Sequence, residues 1–335
     1  MRTIEWSELG EEILLLDQTK LPHELSQLHI NNHEELIDAI KRLAIRGAPA
    51  LGVAGAMGVA LIMRNAKRAG WNDGQRDQAI ADLRSARPTA VNLAWGVDQV
   101  VGLINQGADS VLQRALQIAE EDAHSNREMG KLGADFLAAR FPNKKLRVLT
   151  HCNTGALATT EWGTALGVIR ELHERGLIEE VFADETRPLL QGSRLTAWEL
   201  SQLGIPYRIL PDGAAASALF AGLIDAVLIG ADRITRNGDS ANKIGSLGVA
   251  VAASQVEVPF LVVAPESTVD RTLATGTEIE IEFRSDTEVT SIAGISIAPK
   301  GSKTYNPAFD VTPARYITAV VTDKKVYRVN QGESL

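Results

Sequence analysis

The sequence predicts an α/β protein with a mainly helical N-terminal domain and a C-terminal Rossmann-like domain built on a doubly wound parallel sheet. Three observations carry this. The chain has 335 residues, more than a single hydrophobic core usually organises. Apolar residues recur at helical spacing through the first third of the chain. From Leu146 onward the pattern changes to short β-rich runs separated by helical stretches, the alternation expected of crossover units on a parallel sheet. The domains are expected at 1–125 and 126–335.

In the first domain, short strands are expected at Thr3 to Glu5 and Ile13 to Asp17. Leu36, Ile37, Ile40 and Leu43 mark a helix from His33 to Leu43. After Arg46-Gly47-Ala48, Pro49 suits the first turn of the next helix. Arg87-Pro88 repeats that start for a helix running to about Ile104, and Ala108 to Arg140 reads as one long helix. In the second domain, strands are expected at Leu146 to Thr150, Glu180 to Ala183, Tyr207 to Leu210, Ala226 to Ile229, Phe260 to Val263 and Tyr316 to Thr322. Helices are expected at Gly163 to Arg175, Ser193 to Leu203, Ala214 to Ala221 and Asn242 to Gln255.

Composition narrows the function. An apolar fraction of 45% with 23% charged residues is that of a folded enzyme-sized body. A formal charge of −8 argues against a broad surface for nucleic acid or anionic lipid, which needs clustered Lys and Arg. The start of the chain lacks the basic and apolar regions of a signal peptide. The longest apolar run, Leu51 to Met63, is too short to span a bilayer and is interrupted by glycines. A single cysteine makes no internal disulfide, which suits the cytoplasm.

Ligands of doubly wound sheets bind beyond the carboxyl ends of the strands. The residues there are unusually polar: His151-Cys152-Asn153-Thr154-Gly155, Asp184-Glu185-Thr186-Arg187, Asp212, Asp232-Arg233 and Glu266-Ser267. None of the six histidines shows the close His or Cys spacing of a zinc site, so no metal is expected. No Walker loop and no Gly-x-Gly-x-x-Gly follows the first strand of the sheet, so no nicotinamide cofactor is expected either.

Cys152 is the only cysteine. Free cysteines are commonly buried fillers, but a strand-end position inside a polar turn points to chemistry. Asp232 reads either as a cap or Arg233 partner, or as an acid in a partly desolvated place with a pKa raised enough to give and take a proton. Arg46 with Gly47 and Ala48, at a helix start, has the parts of an anion site, and Arg87 repeats the arrangement; each reads equally as a surface arginine. Lys243 beside Asn242, at the start of an expected helix, is an anion contact or a structural ion pair. Gly52, Gly55 and Gly58 read as close helix packing.

Seven blocks in order carry a family resemblance. They are Ile45-Arg46-Gly47-Ala48-Pro49-Ala50, Arg87-Pro88-Thr89-Ala90-Val91-Asn92-Leu93, Cys152-Asn153-Thr154-Gly155-Ala156-Leu157-Ala158-Thr159, Glu185-Thr186-Arg187-Pro188, Gln191-Gly192-Ser193-Arg194-Leu195-Thr196, Gly230-Ala231-Asp232-Arg233 and Asn242-Lys243-Ile244-Gly245. With these the chain resembles the methylthioribose-1-phosphate isomerase family of methionine salvage from about Arg2 to Tyr327. The resemblance implies a homodimer that needs no cofactor and acts on a sugar 1-phosphate. It implies Cys152 and Asp232 as the catalytic pair, and Arg46, Gly47, Ala48, Arg87, Gln191, Asn242 and Lys243 as substrate contacts. Only Gln191 was not already singled out by its chemistry.

Ser217 and the stretch Glu280 to Glu288 depart from the family pattern, which leaves the C5 substituent of the sugar open. Isomerases of 5-deoxyribose 1-phosphate or ribose 1,5-bisphosphate are therefore alternatives. A different class is a non-catalytic regulatory protein, since the alpha, beta and delta subunits of the translation-initiation guanine-nucleotide exchange factor share the expected fold. Retention of both Cys152 and Asp232 argues for the enzyme.

Overall fold

The structure, a computed structural model, describes residues 2–7, 9, 11–87 and 91–335. They form two compact units. The first comprises Met1–Arg127 with Thr154–Gly163, the second Glu128–Asn153 with Thr164–Leu335. The sequence reading keeps all of 126–335 in one domain; the structure instead returns Thr154–Gly163 to the first unit. Backbone and side-chain bonds explain why. Thr3 donates from its N–H to the Thr160 carbonyl (3.0 Å) and from Oγ1 to the Ala156 carbonyl (2.6 Å), and Gln18 Nε2 donates to the Leu157 carbonyl (2.6 Å).

The first unit opens with an antiparallel sheet of β1 (Ile4–Ser7), β2 (Glu12–Leu16) and β3 (Gln27–Ile30). The third strand is absent from the sequence reading, because its inward residues are too few to show alternation. Helix α1 (His33–Lys41) is capped by Asn32, and α2 (Ala48–Ala69) starts behind Gly47 and stops at left-handed Gly70. Helix α3 (Asp73–Arg84) has a reciprocal capping box between Asn72 and Gln75. Helix α4 spans Val91–Val101; Pro88, the expected helix start, lies outside the described residues. Helix α5 (Ala108–Arg140) is one continuous helix, and the division between units falls within it.

Helix α2 is long and apolar enough to cross a membrane by length and composition, yet 72% of its most apolar window is buried inside the protein. Its glycines are packing devices. A Cβ at Gly52 would stand 3.2 Å from the Trp95 ring, and one at Gly55 would stand 2.5 Å from the Leu93 carbonyl oxygen, both on α4. From the other side, a Cβ at Gly96 would meet the Gly52 carbonyl oxygen at 1.9 Å. The two backbones touch, which only glycine allows.

The second unit is organised by a seven-stranded sheet. In chain order its elements are β4 (Leu146–Thr150), α6 (Ala165–Glu174), β5 (Ile178–Asp184), α7 (Ala197–Gln202), β6 (Tyr207–Leu210), α8 (Ala214–Phe220) and β7 (Ala226–Ile229). There follow β8 (Arg233–Thr235), β9 (Ser240–Lys243), α9 (Ser246–Gln255), β10 (Phe260–Val263), β11 (Val269–Asp270), α10 (Asp286–Thr290) and the hairpin β12 (Ser291–Ile292) and β13 (Ile295–Ser296). The chain ends through β14 (Phe309–Thr312), β15 (Ala319–Val321) and β16 (Val326–Tyr327). The sheet order is β16-β15-β10-β7-β4-β5-β6, parallel except for β16. From β4 the chain winds outward through β5 and β6, then restarts on the other side at β7 and winds outward through β10 and β15. The strand order reverses between β4 and β7.

Alternation along the buried strands covers both faces. Val148, Val181 and Leu228 pack with Leu137 of α5 and Val168, Ile169 and Leu172 of α6. Leu149, Phe182, Val227 and Ile229 pack with Leu219 of α8 and Val249 of α9 on the other face. The sheet is thus doubly wound, as the sequence predicts.

Three expected elements differ. The helix from Asn242 becomes strand β9 and a helix from Ser246, because β9 pairs antiparallel with β8 and β14 and because Gly245, at φ +110°, breaks helical geometry. The strand from Tyr316 is confined to Ala319–Val321, where it can pair with β10. The helix from Ser193 opens as a π-helical turn, Gly192–Thr196, before α7.

Two predictions follow from the first unit. Gly96→Ala should lower stability by at least about 1–3 kcal/mol, the usual cost of overpacking, read as a fall in the denaturant midpoint. Asp122, on α5, accepts from the Thr160 N–H (2.7 Å), and burial raises its pKa to about 6 from 3.8. A raised carboxyl contributes most when protonated, so its contribution falls as pH rises from about 4 to about 6 and is constant above. Asp122→Asn should therefore match wild-type stability near pH 4 and exceed it above pH 6 by on the order of 2–3 kcal/mol.

Candidate active site

Cys152 and Asp232 emerge from neighbouring strands. β4 and β7 are parallel and in register, Val148 beside Ala226 and Thr150 beside Leu228. Cys152 follows β4 by two residues and Asp232 follows β7 by three, so both leave the sheet at its carboxyl end, on either side of the order reversal. This is where doubly wound sheets open a crevice.

Cys152 is buried, and its backbone takes a left-handed conformation at φ +65°. A residue with a Cβ pays about 1–2 kcal/mol for that, and its neighbours hold it there. The Cys152 N–H donates to Thr186 Oγ1 (2.8 Å), and its carbonyl accepts from Thr196 Oγ1 (2.7 Å). Thr186 is itself left-handed at φ +62°. It is secured by donating from Oγ1 to the Asp184 carbonyl (3.0 Å) and from its N–H to Asp212 Oδ1 (2.7 Å). The other Asp212 oxygen accepts from the Arg187 N–H (2.6 Å). Asn153, next to the thiol-bearing residue, donates to Glu199 Oε1 (2.7 Å).

Asp232 departs from its expected setting. The sequence reading puts it in a partly desolvated place with a raised pKa; in the structure its side chain is exposed. The reason lies in the loop after β7, which turns outward to start the second sheet, β11-β8-β9-β14. The Asp232 N–H donates to the Ala241 carbonyl (2.9 Å), which ties Asp232 to β9 immediately before Asn242 and Lys243. Asn242 is buried and donates to Ser246 Oγ (2.8 Å). Lys243 donates to the Ala308 carbonyl (2.8 Å), with its ammonium 4.5 Å from the Phe309 ring centre. These two residues belong to a strand, a correction to the helix start expected for them.

Gln191 stands at the head of the π-helical turn, 5% exposed, and its Oε1 has no hydrogen-bond partner among the described residues. A buried amide oxygen left bare is costly, so a donor that reached it would bind favourably. Of the candidates in the second unit, Cys152 and Asp232 follow strands β4 and β7, Gln191 heads the π-helical turn, and Asn242 and Lys243 end strand β9.

The first unit carries the remaining candidates. Gly47 caps α2 at φ +95° with Pro49 in the first turn, so the N–H groups of Ala48 and Ala50 begin the helix. A Cβ at Gly47 would stand 2.2 Å from the Ala158 carbonyl oxygen. Arg46 and Arg87 are half-buried.

One group among the described residues has the spacing of a metal site: His151, Asp184 and Asp212 offer ligand atoms within 4.8 Å of one another. Most of its ligand atoms are already engaged. His151 Nδ1 lies 2.9 Å from Asp184 Oδ2, His151 Nε2 lies 2.9 Å from the Ile244 carbonyl, and Asp212 accepts two backbone N–H bonds. Of these ligand atoms, Asp184 Oδ1 alone is left without a partner among the described residues, and the bonds of the others join three loops of the second unit.

Comparison with known proteins identifies the family. Residues 44–327 match the Initiation factor 2 subunit family. The methylthioribose-1-phosphate isomerase of Acetivibrio thermocellus is 46% identical over 93% of this chain and 93% of its own length. The chain belongs to the Initiation factor 2 subunit family, among its methylthioribose-1-phosphate isomerases. A probable bifunctional methylthioribose-1-phosphate isomerase/methylthioribulose-1-phosphate dehydratase of Nocardia farcinica is 52% identical over 97% of the chain, and the chain spans 60% of that protein's length. The crystal structure of 5-methylthioribose 1-phosphate isomerase from Pyrococcus horikoshii superposes with a TM-score of 0.89 at 40% identity, covering 98% of this chain and 92% of that one. The translation initiation factor eIF-2B subunit delta from A. fulgidus superposes at 0.85 with 42% identity, covering 98% and 96%.

Within this family member, the residues that hold Cys152 were visible in the sequence only as polar strand-end residues without roles: His151, Asp184, Thr186 and Asp212. Thr196 lay inside a recognised block, equally without a role. Thr196→Val should lower stability by about 1–3 kcal/mol, since it leaves a buried carbonyl without this donor, while Thr196→Ser should retain most of it; denaturant midpoints decide.

Proposed function

We propose that this chain isomerises 5-methylthioribose 1-phosphate to 5-methylthioribulose 1-phosphate, the aldose-to-ketose step of methionine salvage. The observation that carries the reading is a thiol and a carboxyl on neighbouring loops where the strand order reverses, in a chain whose full-length relatives bear that enzyme's name. Phosphate on the anomeric oxygen prevents the ring from opening by itself. An acid must protonate the ring oxygen, and hydrogen must move from C2 to C1. Asp232 is assigned as that acid and then as base toward a hydroxyl, and Cys152 handles the C2 proton through an enolate-like intermediate. Cys152 is accordingly a proton-transfer group and forms no covalent bond to the sugar.

Asp232 suits this cycle through exposure rather than burial, since an accessible carboxyl exchanges protons with solvent between turnovers. Gln191, with its bare Oε1, accepts from a sugar hydroxyl. Arg46 with the N–H groups after Gly47, and Arg87, are assigned as phosphate contacts on the chemistry of a guanidinium beside a helix start; Asn242 and Lys243 complete the substrate contacts. The working unit is a cytoplasmic homodimer that uses neither a metal nor a redox cofactor. A second reading, as a translation-regulatory subunit, draws on the likeness to eIF-2B subunit delta.

Turnover decides between them. The purified protein, offered the methylthio, 5-deoxy and 5-phospho forms of the sugar 1-phosphate, should convert the methylthio form best and keep its rate in chelator. Failure on all three would overturn the isomerase reading, and preference for another would reassign the substrate. Cys152→Ser and Asp232→Asn should each lower kcat by about 10²–10⁴-fold with the fold intact. In deuterium oxide the ketose should gain deuterium at C1; full retention of substrate hydrogen would replace the enolate with a direct hydride shift.

A further inference from the structure

Three loops of the second unit converge on one buried ring. His151 lies between β4 and Cys152 and is 1% exposed. Its Nδ1 faces Asp184, the last residue of β5, and its Nε2 faces the carbonyl of Ile244, the residue after Lys243. A carbonyl oxygen can only accept, so Nε2 carries a proton. The chain beyond Ile244 is pressed against the ring: a Cβ on Gly245 would stand 2.8 Å from His151 Cε1.

The charges around the ring favour a second proton on it. Burial opposes charging the imidazole, but the bond and charge of Asp184, the charge of Asp212 and the Ile244 carbonyl outweigh it, and the His151 pKa is raised. Asp310, opposite Asn242 in the β9–β14 register, adds a third carboxyl; it accepts from the Gly245 N–H (2.8 Å) and the Leu247 N–H (3.1 Å). Asp212 and Asp310 each pin one loop through backbone N–H groups, and His151 joins those loops to the one bearing Cys152.

We propose that His151 is a positioning residue for the isomerisation, an imidazolium that donates from both ring nitrogens and locks the Cys152 loop to Asp184 on one side and to the Asn242–Lys243 strand on the other. Its kinetic readout rests on the isomerase reading above. The two bonds act on different steps. Asp184 holds the chain through Thr186 to the Cys152 N–H, so the Nδ1 bond governs the reacting thiol and kcat. Ile244 follows the substrate-binding pair, so the Nε2 bond governs KM.

The amide nitrogen of Asn reaches the place of Nδ1 and that of Gln the place of Nε2, so two variants separate the bonds. His151→Asn should raise KM by about tenfold and leave kcat within about threefold; His151→Gln should lower kcat by about tenfold and leave KM within about threefold. Equal changes in both parameters for both variants, or wild-type values, would overturn the proposal. If neither variant folds, histidine nitrogen NMR of the wild-type protein decides: protons on both ring nitrogens of His151 at neutral pH support it, and one bare nitrogen overturns it. A wild type with no turnover removes the isomerase reading, while the NMR measurement, which needs no substrate, still tests the lock.

Discussion

The parallel pairing of β4 with β7 is the constraint on which the second unit depends. The chain winds away from these two strands in opposite directions, and it is beyond the carboxyl ends of such a pair that doubly wound sheets bind ligands. β7 is wholly apolar, and the burial of Val148, Leu149, Val227 and Leu228 on two faces makes the register of the pair hard to shift. The loops therefore start from fixed points. The backbone positions of Cys152 and Asp232 are inherited from the packing of these two strands.

Rigidity beyond the strands comes from buried polar groups. Cys152 and Thr186 both hold left-handed backbone, which is unfavourable for any residue with a Cβ and more so for a β-branched one. Such geometry persists when neighbours over-determine it. Here two threonine hydroxyls, two aspartates and one histidine do so, with distances of 2.6–3.0 Å. The same groups engage most of the ligand atoms of the cluster that resembles a metal site. Buried oxygens without a partner among the described residues remain at this end of the sheet on Gln191 and on Asp184.

The first unit shows a different economy of residues. Its long apolar helix survives as a core helix because glycines on α2 and α4 let the two backbones touch. Their spacing in the sequence already points to packing, since a helix face of Gly and Ala has little other use.

Much of the fold was legible because it rests on local periodicity: the 33-residue helix α5 and the strands Leu146–Thr150, Tyr207–Leu210, Ala226–Ile229 and Phe260–Val263 stand where their apolar patterns end. Strand β9 was not legible, because Asn242 and Lys243 are strand residues only through pairing with Phe309 and Asp310 more than sixty positions away. Nor was the exposure of Asp232, which depends on where the loop after β7 goes to join that pairing. The sequence by itself determined the fold class and which residue types stand at the strand ends, because alternation and turn chemistry are local. The tertiary structure alone decided which of those residues are buried, which are held in left-handed backbone and which face each other, because each of these depends on partners brought together from distant parts of the chain.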